Sequence, residues 1–395
     1  MRLLSMPGWR ECLLRWLSTG LLWWLAGMLL LSSHKLYQQG LIVLLWLPGL
    51  LALRSFAQVR RAWWQPGAAC LALFAAWSAA SVLWSEVPVP AKELKIFLYL
   101  GLAANAVLAM ALLDAARFWR VLAMLGVLVG LYAWSALLVF YGWQDQPWSA
   151  RVVGTGLANH PILAAQLFGV MGIVLLFLRD HLPAWLRGLP WYVALLGYLA
   201  FLLLSQSKGP WMAALATLLL LPLWCRGYRP LVCLGAAGVA LVAVYVGWPD
   251  ILLQRGLSFR PDLFAQALLK IQAHPWLGIG FDSPYALEVP ALGLSYEHAH
   301  NLYLHIAVLL GLVGLGGWLL LQGWAALWAW RARSSVEGRL CLTLLCFSAV
   351  ALFTDGVGPW VKPREEWFCI WLPLFLCLAG AALQRRADNR VVESV

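Results

Sequence analysis

Twelve apolar runs govern what this chain can fold into; they lie at 16–33, 40–56, 67–84, 94–113, 119–142, 158–178, 190–206, 210–225, 230–247, 301–328, 340–355 and 367–384. Most match the roughly 17–25 residues that an α-helix needs to cross a bilayer. In hydrocarbon each backbone N–H and C=O must find a partner within the protein, and a helix provides this within a single run. The expected fold class is therefore an all-α polytopic membrane protein of about twelve transmembrane helices. The least sharply bounded runs are the pair meeting around Ser205 to Pro210 and the run ending at Asp355.

Composition agrees: 63% of the 395 residues are hydrophobic, 11% are charged, and 26 are Trp. Tryptophan near span ends, as in Trp23-Trp24, Trp63-Trp64 and Trp360, fits an interfacial belt. The net charge of +11 raises the question of nucleic acid, but the basic residues sit in short loops between apolar runs, so no nucleic-acid partner is expected. The first apolar stretch leads into further spans without a small-residue cleavage site, so no cleavable signal peptide is expected. The eight Cys are scattered and form no Cys-x-x-Cys pair, so they read as small core hydrophobes.

The positive-inside rule tests the span count. With both termini cytoplasmic, the inner segments hold eighteen basic residues against six acids, and the outer ones ten against eleven. All inner basic residues are Arg and all six Lys fall outside; the only outer Arg are Arg151, Arg255, Arg260 and Arg364. These four work against the topology signal and call for another role.

The expected organisation is 1–247 as nine spans, 248–299 as a large outer loop, 300–384 as three spans and 385–395 as a cytoplasmic tail. Within the loop, Phe259-Arg260-Pro261-Asp262 reads as a helix start, with Pro in the first turn and an acid near the positive dipole end. Leu263, Phe264, Ala267, Leu268 and Ile271 recur at helical spacing, so an amphipathic helix is expected to stop before Pro275 and be followed by a turn at Gly278-Ile279-Gly280.

Polar chemistry concentrates at Tyr296-Glu297-His298-Ala299-His300-Asn301-Leu302-Tyr303-Leu304-His305, which holds three of the seven histidines. From there an apolar helix is expected to continue through Gly311-Leu312-Val313-Gly314. No charged residue lies near a predicted midplane, which weighs against an ion-coupled transporter.

Four segments, in order and on one side, resemble the O-antigen ligase and polymerase superfamily of membrane glycosyltransferases. They are Arg151-Val152-Val153-Gly154-Thr155-Gly156; Ser205-Gln206-Ser207-Lys208-Gly209-Pro210-Trp211; Arg260 followed by His274-Pro275-Trp276-Leu277-Gly278-Ile279-Gly280; and His300-Asn301-x-Tyr303-Leu304 with Gly311-Leu312-Val313-Gly314. The second departs from the family pattern in carrying Lys208 for the usual Arg, a compact charge instead of a planar fork.

The resemblance implies a glycosyltransferase C-type fold in the bacterial inner membrane with a periplasmic site. It implies an undecaprenyl-diphosphate-linked glycan donor, a lipid A-core acceptor, surrounding membrane lipids, and no cofactor or metal. Diphosphate is already a good leaving group and needs cationic stabilisation; Arg260 and Lys208 are the leading candidates, with Arg151, Arg364 and Arg255 beside them. A sugar hydroxyl is a weak nucleophile that benefits from a base, and neutral imidazole suits neutral pH. His300 is the candidate base, with His298 as its neighbour on the same loop and Asn301 and Tyr303 as substrate-binding residues. Each has a plainer reading: His300 as a helix cap, the cations as interfacial anchors, Arg364 as an ion-pair partner of Glu365 or Glu366, and His305 as a packed histidine. Asp282, Glu297 and Asp355 can orient a histidine, bind sugar or simply be solvated. An O-antigen polymerase and a protein O-oligosaccharyltransferase share the donor chemistry, and a lipid or polysaccharide transporter is the alternative from another class.

Overall fold

The computed structural model describes residues 8–89, 91–247, 259–289 and 293–393. Arg255, a candidate cation, lies outside the described residues.

The chain is a helical, multi-pass membrane protein. Among the described residues, seven helices are long and apolar enough to cross a bilayer: Trp9–Leu30, His34–Ser55, Pro66–Trp84, Ala91–Leu113, Ala115–Trp143, Leu302–Arg331 and Val336–Thr354. Pro161–Phe177, Leu189–Leu204 and Lys208–Leu223 are apolar but shorter. The run pair around Ser205 to Pro210 resolves into two helices, one ending at Leu204 and the next starting at Lys208.

Without water to drive apolar faces together, membrane helices associate where small residues let backbones approach. Helices Ala115–Leu137 and Leu189–Leu204 do so across Gly130 and Gly197: a Cβ on Gly197 would lie 2.1 Å from the Gly130 carbonyl oxygen. Caps satisfy the free amides at helix starts, as where Asp114 accepts from Arg117 N at 2.9 Å and Ser335 from Gly338 N at 3.0 Å.

The expected loop helix is present as Arg260–Ala273, with Pro261 in its first turn. The loop also departs from the all-α expectation. Leu287–Val289 and Leu294–Tyr296 form a two-stranded antiparallel hairpin, with Leu287 opposite Tyr296 and Val289 opposite Leu294. Leu287 and Val289 are buried and join Leu263, Ala267, Ile279 and Ala299 in a small core separate from the main one. The strands are three residues each, too short for the alternation that marks a strand in sequence.

A larger departure concerns helix Leu302–Arg331. Instead of continuing unbroken through Gly311-Leu312-Val313-Gly314, it is interrupted at Gly311, whose φ is 67° and ψ −175°. Interruption frees backbone groups that hydrocarbon cannot satisfy. The turn after the loop helix supplies the partners: Ile279 N–H donates to the Val308 carbonyl at 3.0 Å, Gly280 N–H to Leu309 at 2.8 Å, and Leu312 N–H to Pro275 at 2.8 Å. Trp77 Nε1 donates to the Leu310 carbonyl at 3.0 Å. The loop is thus stitched into the helix, and Gly311 is required twice over, by its left-handed φ and by a Trp276 carbonyl oxygen that would lie 2.1 Å from any Cβ.

Gly311→Ala should therefore destabilise the protein by more than the roughly 1–2 kcal/mol of left-handed strain alone, read as a lowered thermal midpoint in detergent. Gly316→Ala, five residues on, where a Cβ meets nothing within 4 Å, should be neutral or slightly stabilising. Equal midpoints for the two variants would contradict the stitched break.

Candidate functional site

Asp355 closes helix Val336–Thr354, and Arg260 opens the loop helix. Both are on the wrong end for the helix dipole, an acid at a C-terminus and a cation at an N-terminus, so each gains from the other's charge. Asp355 is 2% exposed. Its Oδ1 lies 2.9 Å from His300 Nδ1 and its Oδ2 3.6 Å from an Arg260 terminal nitrogen. An ionised carboxylate only accepts, so Nδ1 of neutral His300 must carry the proton, which leaves Nε2 as the free lone pair. Arg260 Nε is buried and makes no hydrogen bond among the described residues.

His300 has φ 48°, a left-handed backbone uncommon outside glycine. Phe259, at 57°, immediately precedes Arg260, and Gln206, at 48°, stands two residues before Lys208. Three of the five described non-glycine residues with such angles therefore sit where the chain turns into a helix at a candidate residue, and strain of this kind clusters at functional sites.

The earlier segments converge on the same place. Arg151 Nε donates to the Ser205 carbonyl and its Nη2 to Ser207 Oγ, both at 2.9 Å, which ties the first candidate segment to the turn that presents Lys208. Lys208 is the first residue of its helix. Its neighbour Gly209 abuts Thr354, next to Asp355: a Cβ there would meet Thr354 Oγ1 at 2.5 Å. The positive ends of two helices, each carrying a cation, thus face the region of the Asp355 carboxylate, an arrangement suited to anions.

Other candidates take different places. Arg364 lies between two buried acids, 3.3 Å from Glu365 Oε1 and 3.5 Å from Glu366 Oε2, as its ion-pair reading describes. Asn301 is buried and caps helix Leu302–Arg331, accepting from Tyr303 N at 2.9 Å and Leu304 N at 3.1 Å. Tyr303 points into the helix bundle, its hydroxyl near Gln322 Oε1 and the Ala349 carbonyl. His305 Nδ1 is bonded to the Tyr285 hydroxyl at 2.7 Å, a packed histidine. His298 sits edge-on to His300 with ring centroids 4.3 Å apart, and its Nδ1 accepts from His300 N at 3.4 Å.

Two residues at the site escape sequence reasoning. His160 caps Pro161–Phe177, accepting from Leu163 N, and is within Coulombic reach of Asp355, Glu365, Arg151 and Arg364. Its signal is a polar residue directly before a Pro that opens an apolar run. Gln166, buried in that helix, donates to the Asp355 carbonyl at 2.8 Å; a single amide inside an apolar run gives only a weak signal.

A fold of stacked apolar helices with Arg260, His300 and Asp355 in contact at one loop-bearing end defines a membrane protein with a polar site at the boundary. A family model described as O-Antigen ligase matches residues 192–319, a stretch that includes Lys208, Arg260, His298 and His300. An O-antigen ligase of Pseudomonas aeruginosa is 31% identical over 281 residues, which cover 69% of this chain and 67% of the relative. The chain belongs to the O-antigen ligase family.

Burial, reinforced by His300, holds the His298 imidazole below the usual histidine value of 6.5, against the opposing pull of Asp355 and Glu297. In the window just below pH 6.5 the unfolded chain then binds more protons at this site than the folded one, so folding carries a penalty that grows as pH falls and is absent above 6.5. His298→Gln should lessen the loss of thermal midpoint between pH 7 and pH 5.5. An unchanged loss would mean that the imidazole is solvated.

Proposed function

We propose that this chain is an O-antigen ligase, transferring glycan from undecaprenyl diphosphate to lipid A-core oligosaccharide at the periplasmic face of the bacterial inner membrane. The proposal includes a glycosyltransferase C-type architecture of about twelve spans with both termini cytoplasmic. Family membership and the arginine-rich inner loops support it. The observation that carries the chemistry is the contact of Asp355 with His300 Nδ1 at 2.9 Å, with Arg260 on its other oxygen.

The acceptor hydroxyl oxygen attacks the anomeric carbon of the donor as the bond from that carbon to the diphosphate oxygen breaks. His300 Nε2 takes the hydroxyl proton, and Asp355 holds the ring in the required tautomer and offsets the imidazolium charge that forms. The leaving diphosphate gains a full negative charge, which the Arg260 guanidinium and the Lys208 ammonium, both at helix N-termini, are suited to stabilise. Arg151 positions the Lys208 turn through Ser205 and Ser207. A single displacement of this kind inverts the anomeric centre, forms no covalent intermediate, and meets the diphosphate charge with side chains in the role a divalent ion plays elsewhere.

The test is glycan transfer by purified protein from polyprenyl-diphosphate glycan to lipid A-core in the presence of a chelator. Wild type should transfer; His300→Ala should lose about 10²–10⁴-fold in kcat, and Arg260→Ala about 10²–10³-fold, with both still folded. Full activity in both variants would place the site elsewhere. Transfer onto a second lipid-linked glycan in place of lipid A-core would make the protein a polymerase.

Asp355→Asn distinguishes positioning from bulk. It keeps the shape but lets the ring adopt the wrong tautomer, so kcat should fall while donor KM changes little. A rise in donor KM without loss of kcat would contradict the positioning role.

A further inference from the structure

The end of the bundle opposite the loop carries a cleft that the chemistry above does not use. Helix Ala91–Leu113 runs between the two ends: Glu93, in its first turn, pairs with Lys362 at 3.2 Å, and its last carbonyls meet donors from the cleft. The cleft has a volume of about 630 Å³ and is lined by Arg10, Ser55, Phe56, Ala57, Gln58 and Arg386. These come from the first helix, from the junction of Leu47–Ser55 with Ala57–Ala62, and from the last helix.

Three of the lining side chains are fixed by one helix end. Arg10 Nη2 donates to the Leu113 carbonyl, and the Leu112 carbonyl accepts from Arg386 Nη1 at 2.6 Å and from Gln58 Nε2 at 3.4 Å. A cation at a helix C-terminus caps its carbonyls, but one would suffice; here two, from near opposite ends of the chain, are held on adjacent carbonyls. Among the described residues no Asp or Glu lines the cleft. Glu11, beside Arg10, is paired with Arg117 at 2.9 Å and Arg15 at 3.1 Å, and Asp114, beside Leu113, caps Arg117 N at 2.9 Å. Asp388, two residues from Arg386, is exposed and does not line it.

Two guanidiniums brought together without an acid repel each other, and an anion between them removes that cost. The planar fork of Arg matches phosphate in particular. The cleft lies where the first and last helices leave the apolar layer, which is the level of lipid phosphates. Phe56 gives it an apolar wall, and the helix ending at Ser55 exposes Leu47 and Leu50, a surface for acyl chains. Basic pockets between helices at this level suit anionic headgroups.

We propose that this cleft binds the phosphate of an anionic phospholipid between Arg10 and Arg386, clamping the first and last helices to the end of helix Ala91–Leu113. The site is independent of the transfer reaction.

Native mass spectrometry of the full chain in neutral detergent, with phosphatidylglycerol or phosphatidylcholine added, tests it. Wild type should retain phosphatidylglycerol in preference to phosphatidylcholine, and only the former should raise its thermal midpoint. The double variant Arg10→Gln, Arg386→Gln should weaken phosphatidylglycerol binding about tenfold or more. Arg331→Gln with Arg333→Gln, which removes the same charge from exposed positions at the end of helix Leu302–Arg331, should not. Ala57→Trp fills the cleft from an exposed position and leaves both arginines in place, so it should weaken binding equally; it decides the matter if the arginine variant does not fold. No preference between the two lipids, equal loss in both double variants, or full binding by Ala57→Trp would overturn the proposal. So would glycerol 3-phosphate binding as tightly as the lipid, which would make the ligand a soluble phosphate.

Discussion

A carboxylate buried as deeply as that of Asp355 needs donors or cations around it, because removing one partner of a buried pair typically costs about 3–5 kcal/mol. Its side chain meets a histidine ring, from the loop end before helix Leu302–Arg331, and a guanidinium, from the start of the loop helix. A fourth segment, through Gln166, binds its backbone carbonyl. Stretches far apart in sequence are thereby drawn to one point, and the residues capable of acid–base and anion chemistry arrive there as a consequence. The same charges oppose their helix dipoles, so the arrangement is locally unfavourable and persists only as a set.

The second constraint is the interrupted helix at Gly311. Backbone amides and carbonyls exposed by a break in an apolar environment must be answered, and the segment from Pro275 to Gly280 answers them. That segment is continuous with the loop helix that carries Arg260. The hydrogen bonds that repair the helix therefore also anchor the C-terminal end of the helix that Arg260 opens, while His300 lies two residues before the start of the interrupted helix. Membrane fold and site geometry are one problem here, solved by one set of contacts.

Much of this was legible in sequence for identifiable reasons. Apolar runs of spanning length leave a helical bundle as the economical solution, and Pro261 with Asp262 marks the loop helix because first-turn chemistry is local. Arg260 and Arg151 stood out as arginines on the outer face and His300 as part of a histidine-rich stretch at a membrane boundary, whereas Lys208 was marked only by the family resemblance. The rest depended on contacts between distant segments. The break at Gly311 is invisible because glycine is common in membrane helices and nothing nearby announces the Trp276 carbonyl against it. Asp355 carried an open choice between orienting a histidine and facing water, which only its burial and its distance to His300 resolve. Asn301 and Tyr303, one and three residues after His300, face the cap and the bundle, since neighbours on a helix start point in different directions.

Two helix N-termini, those opened by Arg260 and Lys208, bring cations to the site. The most direct measurement is a cryo-electron microscopy structure of the protein in lipid nanodiscs with a polyprenyl diphosphate bound. The account predicts diphosphate oxygens within hydrogen-bond distance of the Arg260 guanidinium, with the His300–Asp355 contact intact. Diphosphate held away from Arg260, or His300 turned from Asp355 in the complex, would contradict it.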